Sequence, residues 1–200
     1  ISNCYEGVQG VQVNINGGTL IINSLDDAIN ASEGGNKEPG GGFGGRPGMP
    51  GSKPGLPSGG NVGLYMKGGF VMVTSKGDGI DSNGELVIVN GILLVSQYGN
   101  GNEPIDAGDG YEPTINGGLV IAAGAKGMAS APKATQTALF TEANGSAGEI
   151  LAINDAKGKN IMAWKVPQAY NVITMSAPEL GSGKYSIITN ATVSGTEHTK

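Results

Sequence analysis

Residues 65–97 read YMKGGFVMVTSKGDGIDSNGELVIVNGILLVSQ. Their two apolar runs, YMKGGFVMVT and VIVNGILLVS, are each broken by glycine, and each reads as two short strands joined by a turn. Between the runs lies GDGIDSNG, in which two carboxylates stand three residues apart, wrapped in glycine and followed by an Asn-Gly turn. The same unit recurs along the chain. Its strand-turn-strand half appears as NINGGTLIIN and TINGGLVIAA, and its turn half as YEGVQG from Tyr5, DDAINA from Asp26, NEPIDA from Asn102 and AKGMAS from Ala125. The column Glu6, Asp27, Asp78, Glu103 has spacings of 21, 51 and 25 residues, the longest being one ordinary period plus an insertion.

Short strands that recur at this period with no helical pattern between them predict an all-β parallel β-helix, in which each coil stacks on the next. Equivalent residues of adjacent coils then lie about 4.8 Å apart. Val8, Ile29, Ile80, Ile105 and Met128 are expected to form one inward apolar ladder. Residues 1–133 form the coils, and residues 134–200 a β-hairpin cap and tail. The insertion, residues 34–60, holds twelve glycines and five prolines and reads as a loop, because Pro lacks a donor and Gly costs most to order. From Thr135 onward, alternating strands punctuated by Asn-Gly, Lys-Gly and Gly-Ser-Gly predict a small antiparallel cap on the end of the coils, with Trp164 and Tyr170 in its core or on its surface as a sugar-stacking platform.

Composition removes several function classes. Cys4 is the only cysteine and His198 the only histidine, so disulfides, Cys/His zinc sites and Ser-His-Asp catalysis are not expected. Residues 1–130 carry twelve Asp/Glu against six Lys/Arg, and no basic patch suggests nucleic acid. No apolar run approaches the roughly 20 residues that span a bilayer, so no membrane insertion is expected. No signal segment opens the sequence, which suits a chain that is either intracellular or already processed.

Stacking the coils creates two polar columns beside the apolar ladder: Glu6, Asp27, Asp78, Glu103 and Gln9, Asn30, Asp81, Asp106. Carboxylates about 5 Å apart repel by roughly 1 kcal/mol in water and several times that where partly shielded. Calcium relieves that repulsion, since it takes six to eight oxygens from carboxylates, amides and carbonyls. The predicted ligands are Asp78, Asp81, Glu103 and Asp106, with Asp27, Asn30 and Asp109 as secondary candidates. The competing reading makes these residues turn caps that bond their own backbone; recurrence of acid in both columns favours metal. Lys126 stands where the next carboxylate of the first column would be. It reads either as a salt bridge closing the column or as a general base able to take a proton α to a uronate carboxyl, with Lys76 a weaker base.

The succession YEGVQG, NINGGTLIIN, DDAINA, a Gly/Pro loop, GDGIDSNG, NGNEPIDAGDG, TINGGLVIAAGAKGMA resembles a family of bacterial surface β-helix proteins classed as carbohydrate-binding domains, over roughly residues 3–190. The resemblance implies a right-handed parallel β-helix that binds calcium and acidic plant cell-wall polysaccharide such as polygalacturonate, with cellulose also reported, at an extracellular or bacterial cell-surface location. It also implies kinship with polysaccharide lyases of family nine. Asp78 and Asp81 match the family's GDGID calcium motif, and Asp27 and Asn30 its DDAIN motif. The sequence departs from the family at Gln9, where an acid is common, and at Asn90, where NG replaces NGG. YEGVQG lies so near the N-terminus that further N-terminal coils, or another segment of the same parent protein, are expected to cover it.

These features predict calcium-dependent binding of acidic polysaccharide first. The alternative is a calcium-dependent pectate lyase working by β-elimination, and the third possibility is calcium as structural glue. A lyase needs a placed base and an enolate-stabilising partner as well, and the sole arginine, Arg46, falls in the Gly/Pro loop.

Overall fold

The computed structural model describes residues 1–33, 62–99 and 101–192. The Gly/Pro insertion, with Arg46, and the His198 tail lie outside these residues. Among the described residues there is no helix, and none long and apolar enough to cross a membrane.

The chain cycles through three strands at a time. β1 (Ser2–Cys4), β2 (Val8–Gly10) and β3 (Gln12–Ile15) are followed by β4 (Thr19–Ser24), β5 (Ile29–Ala31) and β6 (Gly63–Met66). Then come β7 (Phe70–Ser75), β8 (Ile80–Ser82) and β9 (Glu85–Ile88), and β10 (Ile92–Gln97), β11 (Ile105–Ala107) and β12 (Thr114–Ile115). The cycle ends with β13 (Leu119–Gly124) and β14 (Lys133–Ala134). Each strand pairs in parallel with its counterpart one round away. The first sheet begins β1-β4-β7-β10-β13, the second is β2-β5-β8-β11, and the third is β3-β6-β9-β12-β14. Among the described residues β1, β2 and β3 therefore lie at sheet edges.

The register follows the repeat read in the sequence. Val8 pairs with Ile29, Ile29 with Ile80, and Ile80 with Ile105. In the first sheet Leu20, Val71, Leu93 and Val120 form one inward row, and Ile22, Val73, Val95 and Ala122 the next. These rows meet Leu64, Met66, Leu86, Ile88 and Ile115 of the third sheet in one core. Burying one such Leu or Ile contributes about 1.5–3 kcal/mol.

The turns into the first sheet pass through Gly18, Gly69, Gly91 and Gly118, all at positive φ between 84° and 104°. Each falls in the left-handed region that favours glycine. The NG at Asn90 keeps this second glycine, so replacing the first Gly of NGG leaves the turn intact, and Asn90 Oδ1 accepts the Gly91 N–H at 2.8 Å.

Met128 departs from the expected ladder: it is 86% exposed. The second sheet ends at β11, so no strand follows to carry Met128 inward; Gly127 turns the chain at φ 43° instead.

The remaining strands are β15 (Ala138–Gly145), β16 (Ile150–Asp155), β17 (Asn160–Lys165), β18 (Tyr170–Ser176) and β19 (Tyr185–Ile188). They pair antiparallel, as predicted for the cap. β18 joins β13 and β15 joins β18, extending the first sheet past its last parallel strand. The β17-β16-β19 sheet goes elsewhere. Leu151, Ile153 and Met162 cluster with Ile121 and Ala123 of β13 and with Leu94, so it lies on the outer face of the first sheet, where the alternating strands present a second apolar row. Tyr170 is buried in this cluster and Trp164 packs against it, so Tyr170 offers no sugar platform. Asn144-Gly145 is not a hairpin turn but the end of β15, at a register shift opposite β18, where a side chain at 145 would collide with the Tyr170 ring. Lys157-Gly158 does turn between β16 and β17, with Gly158 at φ 81°.

Candidate metal strip

The candidate residues gather where the first sheet turns into the second. Ser24, Ser75 and Gln97, the last residues of β4, β7 and β10, point inward and are buried. Ser24 Oγ donates to the Asp26 carbonyl at 2.8 Å, and Gln97 Nε2 donates to Gly99 O while its Oε1 accepts the Ala125 N–H. Each polar side chain thus satisfies backbone groups of its turn or the next. The sequence signal for these positions is the polar residue that closes each alternating run.

The first acidic column is a hydrogen-bonded ladder. Asp27 Oδ1 accepts the Asp78 N–H at 2.8 Å, Asp78 Oδ1 accepts the Glu103 N–H at 2.5 Å, and the Glu103 carboxylate accepts the Met128 N–H. Each carboxylate therefore caps the turn of the next coil. Gly77 and Gly79 make that stacking fit: a side chain at 77 would collide with Asp26 and Asp27, and one at 79 with Val95 and the Pro104 carbonyl. The capping reading and the metal reading are thus compatible, since each carboxylate keeps lone pairs beyond the one it spends on a backbone N–H.

Glu6 stands outside the ladder. Leu25 N–H bonds Cys4 O, Asp26 N–H bonds Tyr5 O, and Gly7 N–H bonds Asp27 O, so the first turn is one residue shorter and Glu6 alone faces both Asp26 and Asp27.

The second column is in register as predicted: Gln9 pairs with Asn30, Asn30 with Asp81, and Asp81 with Asp106. Asn30 is 4% exposed and Asp81 8%. Asn30 Nδ2 donates to Asp27 Oδ2 at 3.1 Å, which ties the two columns together, while Asn30 Oδ1 is buried with no hydrogen-bond partner. A buried acceptor left unsatisfied costs about 1–3 kcal/mol.

The carboxylates feel one another. Burial pushes Asp78 up to about 8; the Glu103 N–H pulls the other way, and Asp27, Asp106 and Asp81 add to the rise. Burial and then Asp106 push Glu103 up to about 7. Asp106 is raised by burial and further by Asp109, which is itself exposed on the loop after β11. Among the described residues, no group of three or more His, Cys, Asp and Glu side chains is gathered so as to hold a metal by themselves. A hard cation here would draw on the Asn30 amide oxygen and on carbonyls or solvent as well as on carboxylates.

Lys126 is not part of the strip. Its ammonium is ion-paired with Glu142 of β15, both side chains being more than half exposed, and its N–H donates to Asn171 Oδ1 at 2.6 Å. The expected salt bridge exists, but it ties the last turn to the cap rather than closing the acidic column. The pattern ends there because Met128, not Lys126, supplies the N–H that Glu103 accepts. Lys76 is exposed on the turn after β7. No family model, curated protein or solved structure matches the chain.

Proposed function

We propose that the chain is a right-handed parallel β-helix module of a bacterial cell surface that binds calcium along its acidic strip and, through calcium, acidic plant cell-wall polysaccharide such as polygalacturonate. The three-strand cycle with in-register parallel pairing supports the β-helix. The observation that carries the metal reading is the buried, unpartnered Asn30 Oδ1, held beside Asp27 and in register with Asp81. A cation supplies what that oxygen lacks and offsets the repulsion among the carboxylates. Asn30, Asp27, Asp78 and Asp81 would hold it first, with Glu103 and Asp106 one coil further on and Asp109 at the margin. Held by these residues, calcium would supply the positive charge that allows a sugar carboxylate to approach the acidic strip. The polysaccharide itself is supported by the motif resemblance and by the anionic chemistry such a charge selects.

Binding stands ahead of lyase chemistry because Lys126 is engaged by Glu142. The test is retention on immobilised polygalacturonate, and separately on cellulose, in calcium and then in chelator, with released unsaturated uronate assayed. Chelator-sensitive retention without product supports a binding module. Product release establishes β-elimination, and no retention in either buffer leaves calcium as structural glue.

A further inference from the structure

The position directly after β1, β4, β7 and β10, the first four parallel strands of the first sheet, is occupied in turn by Tyr5, Leu25, Lys76 and Tyr98, and the position after β13 by Ala125. Their register follows from the backbone: Leu25 N–H bonds Cys4 O, Tyr98 N–H bonds Ser75 O, and Ser75 pairs with Gln97. Burial would be the ordinary fate of such side chains, yet Tyr5 is 69%, Leu25 58% and Tyr98 60% exposed, and Lys76 is exposed too. Three of the large exposed apolar side chains thus share one column, along a step of about 4.8 Å per coil, or about 14 Å from Tyr5 to Tyr98. Aligned in this way, with Lys76 between Leu25 and Tyr98, they present one row to solvent. The Tyr5 hydroxyl donates to the Asp26 carboxylate, which holds its ring beside the strip with the face exposed; Tyr65 of the third sheet is tied more fully into the fold, its hydroxyl donating to Glu85 at 2.8 Å and Lys67 lying 5.9 Å from the ring centroid.

The column borders the acidic strip, with Asp27 and Asp78 each two residues beyond Leu25 and Lys76. Tyrosine rings present flat faces that suit the apolar faces of pyranose rings. Lys76 places a cation that pairs with a sugar carboxylate. We infer that Tyr5, Leu25, Lys76 and Tyr98 form the track on which an anionic polysaccharide chain lies, its long axis along the coil-stacking direction, with the tyrosines stacking on sugar rings and Lys76 selecting uronate over neutral sugar. This inference rests on the acidic-polysaccharide reading above and adds the residues and the direction of the polymer.

The experiment compares native chain, Y5A/Y98A, K76A, D78N/D81N and the exposed-tyrosine control Y111A on immobilised polygalacturonate and on its methyl ester, all in calcium. The calcium-induced melting shift is recorded for each as the check on folding and metal. The expected result is about tenfold weaker half-saturation for Y5A/Y98A on both polymers, with an unchanged calcium shift. K76A narrows the preference for the free acid over the ester, the remainder being the part that calcium selects, and Y111A behaves as native. If Y5A/Y98A binds as tightly as native while D78N/D81N is not retained, the track is overturned and the calcium reading stands. If native chain is retained on neither polymer, the polysaccharide reading fails and takes the track with it.

Discussion

Asp78→Asn isolates the electrostatics of the acidic strip in a single atom exchange. The amide keeps the Oδ1 acceptor that receives the Glu103 N–H at 2.5 Å while deleting the charge. In the native chain burial pushes Asp78 from 3.8 up to about 8. The folded chain at pH 7 must therefore hold a proton some three pK units above the unfolded value, which costs about 4 kcal/mol at ~1.36 kcal/mol per unit. Because the folded pKa is the higher one, the stability this carboxyl contributes is complete below about 3.8 and is lost as pH rises through about 8. Asn carries no proton to lose. In chelator at neutral pH the variant should melt higher than native by about 8–15 °C, at roughly 2–4 °C per kcal/mol for a chain of this size. Its melting temperature should also fall less steeply between about pH 4 and pH 8, with Glu103 and Asp106 accounting for the remaining slope. In saturating calcium the order should invert, since the variant lacks one anionic ligand. Scanning calorimetry over pH, with and without calcium, reads all of this. A native melting temperature that ignores pH in chelator, or an Asp78→Asn variant less stable than native there, would refute the reasoning.

Asp78→Ala combined with Asp81→Ala should lower stability in calcium and abolish the gain calcium gives the native chain; an unchanged calcium-dependent melting shift would reject these two as ligands. Gly79→Ala should cost about 3 kcal/mol by denaturant titration, because its Cβ meets Val95 and the backbone oxygen of Pro104, neither of which can yield without moving a coil. Ile80→Ala, in the middle of the inward ladder, should cost about 2–5 kcal/mol, and a loss under 1 kcal/mol would mean the ladder is not packed as described. Tyr170→Phe removes a buried hydroxyl with no partner, so stability should hold or rise by about 1 kcal/mol. Lys126→Ala should leave polygalacturonate retention intact and shift stability by under about 1 kcal/mol, since its ion pair with Glu142 is exposed.

The apolar strand-turn-strand runs and the register of the repeat were legible because they depend on local chemistry repeated at a period, whereas the short strands β2, β5, β8 and β11 lie in motifs that read as turns. Val8, Ile29, Ile80 and Ile105 fall in one column wherever an apolar residue is flanked by polar ones, and pairing like with like leaves one register for the second sheet. The same alignment placed Asn30, Asp81 and Asp106 side by side. It failed at both ends of the stack. Glu6 slipped because the first turn is a residue short, and Met128 was left outside because the second sheet had already ended. A repeat read from sequence assumes turns of equal length and a strand in every round, and neither holds at Glu6 or at Met128.

Sequence by itself therefore determined the all-β character, the recurring strand-turn-strand unit, the acidic columns and the antiparallel cap, all of which follow from side-chain period, glycine placement and charge; that the acidic motifs carry a third strand of each round came from the structure. Tertiary structure alone decided that the carboxylates of the first column accept backbone N–H groups from the following coil, and that Asn30 Oδ1 is buried without a partner. It also decided that Lys126 meets Glu142, and that the β17-β16-β19 sheet covers the outer face of the first sheet. Those outcomes turn on which segments meet across dozens of residues and on how much water each meeting excludes, quantities that no local pattern encodes.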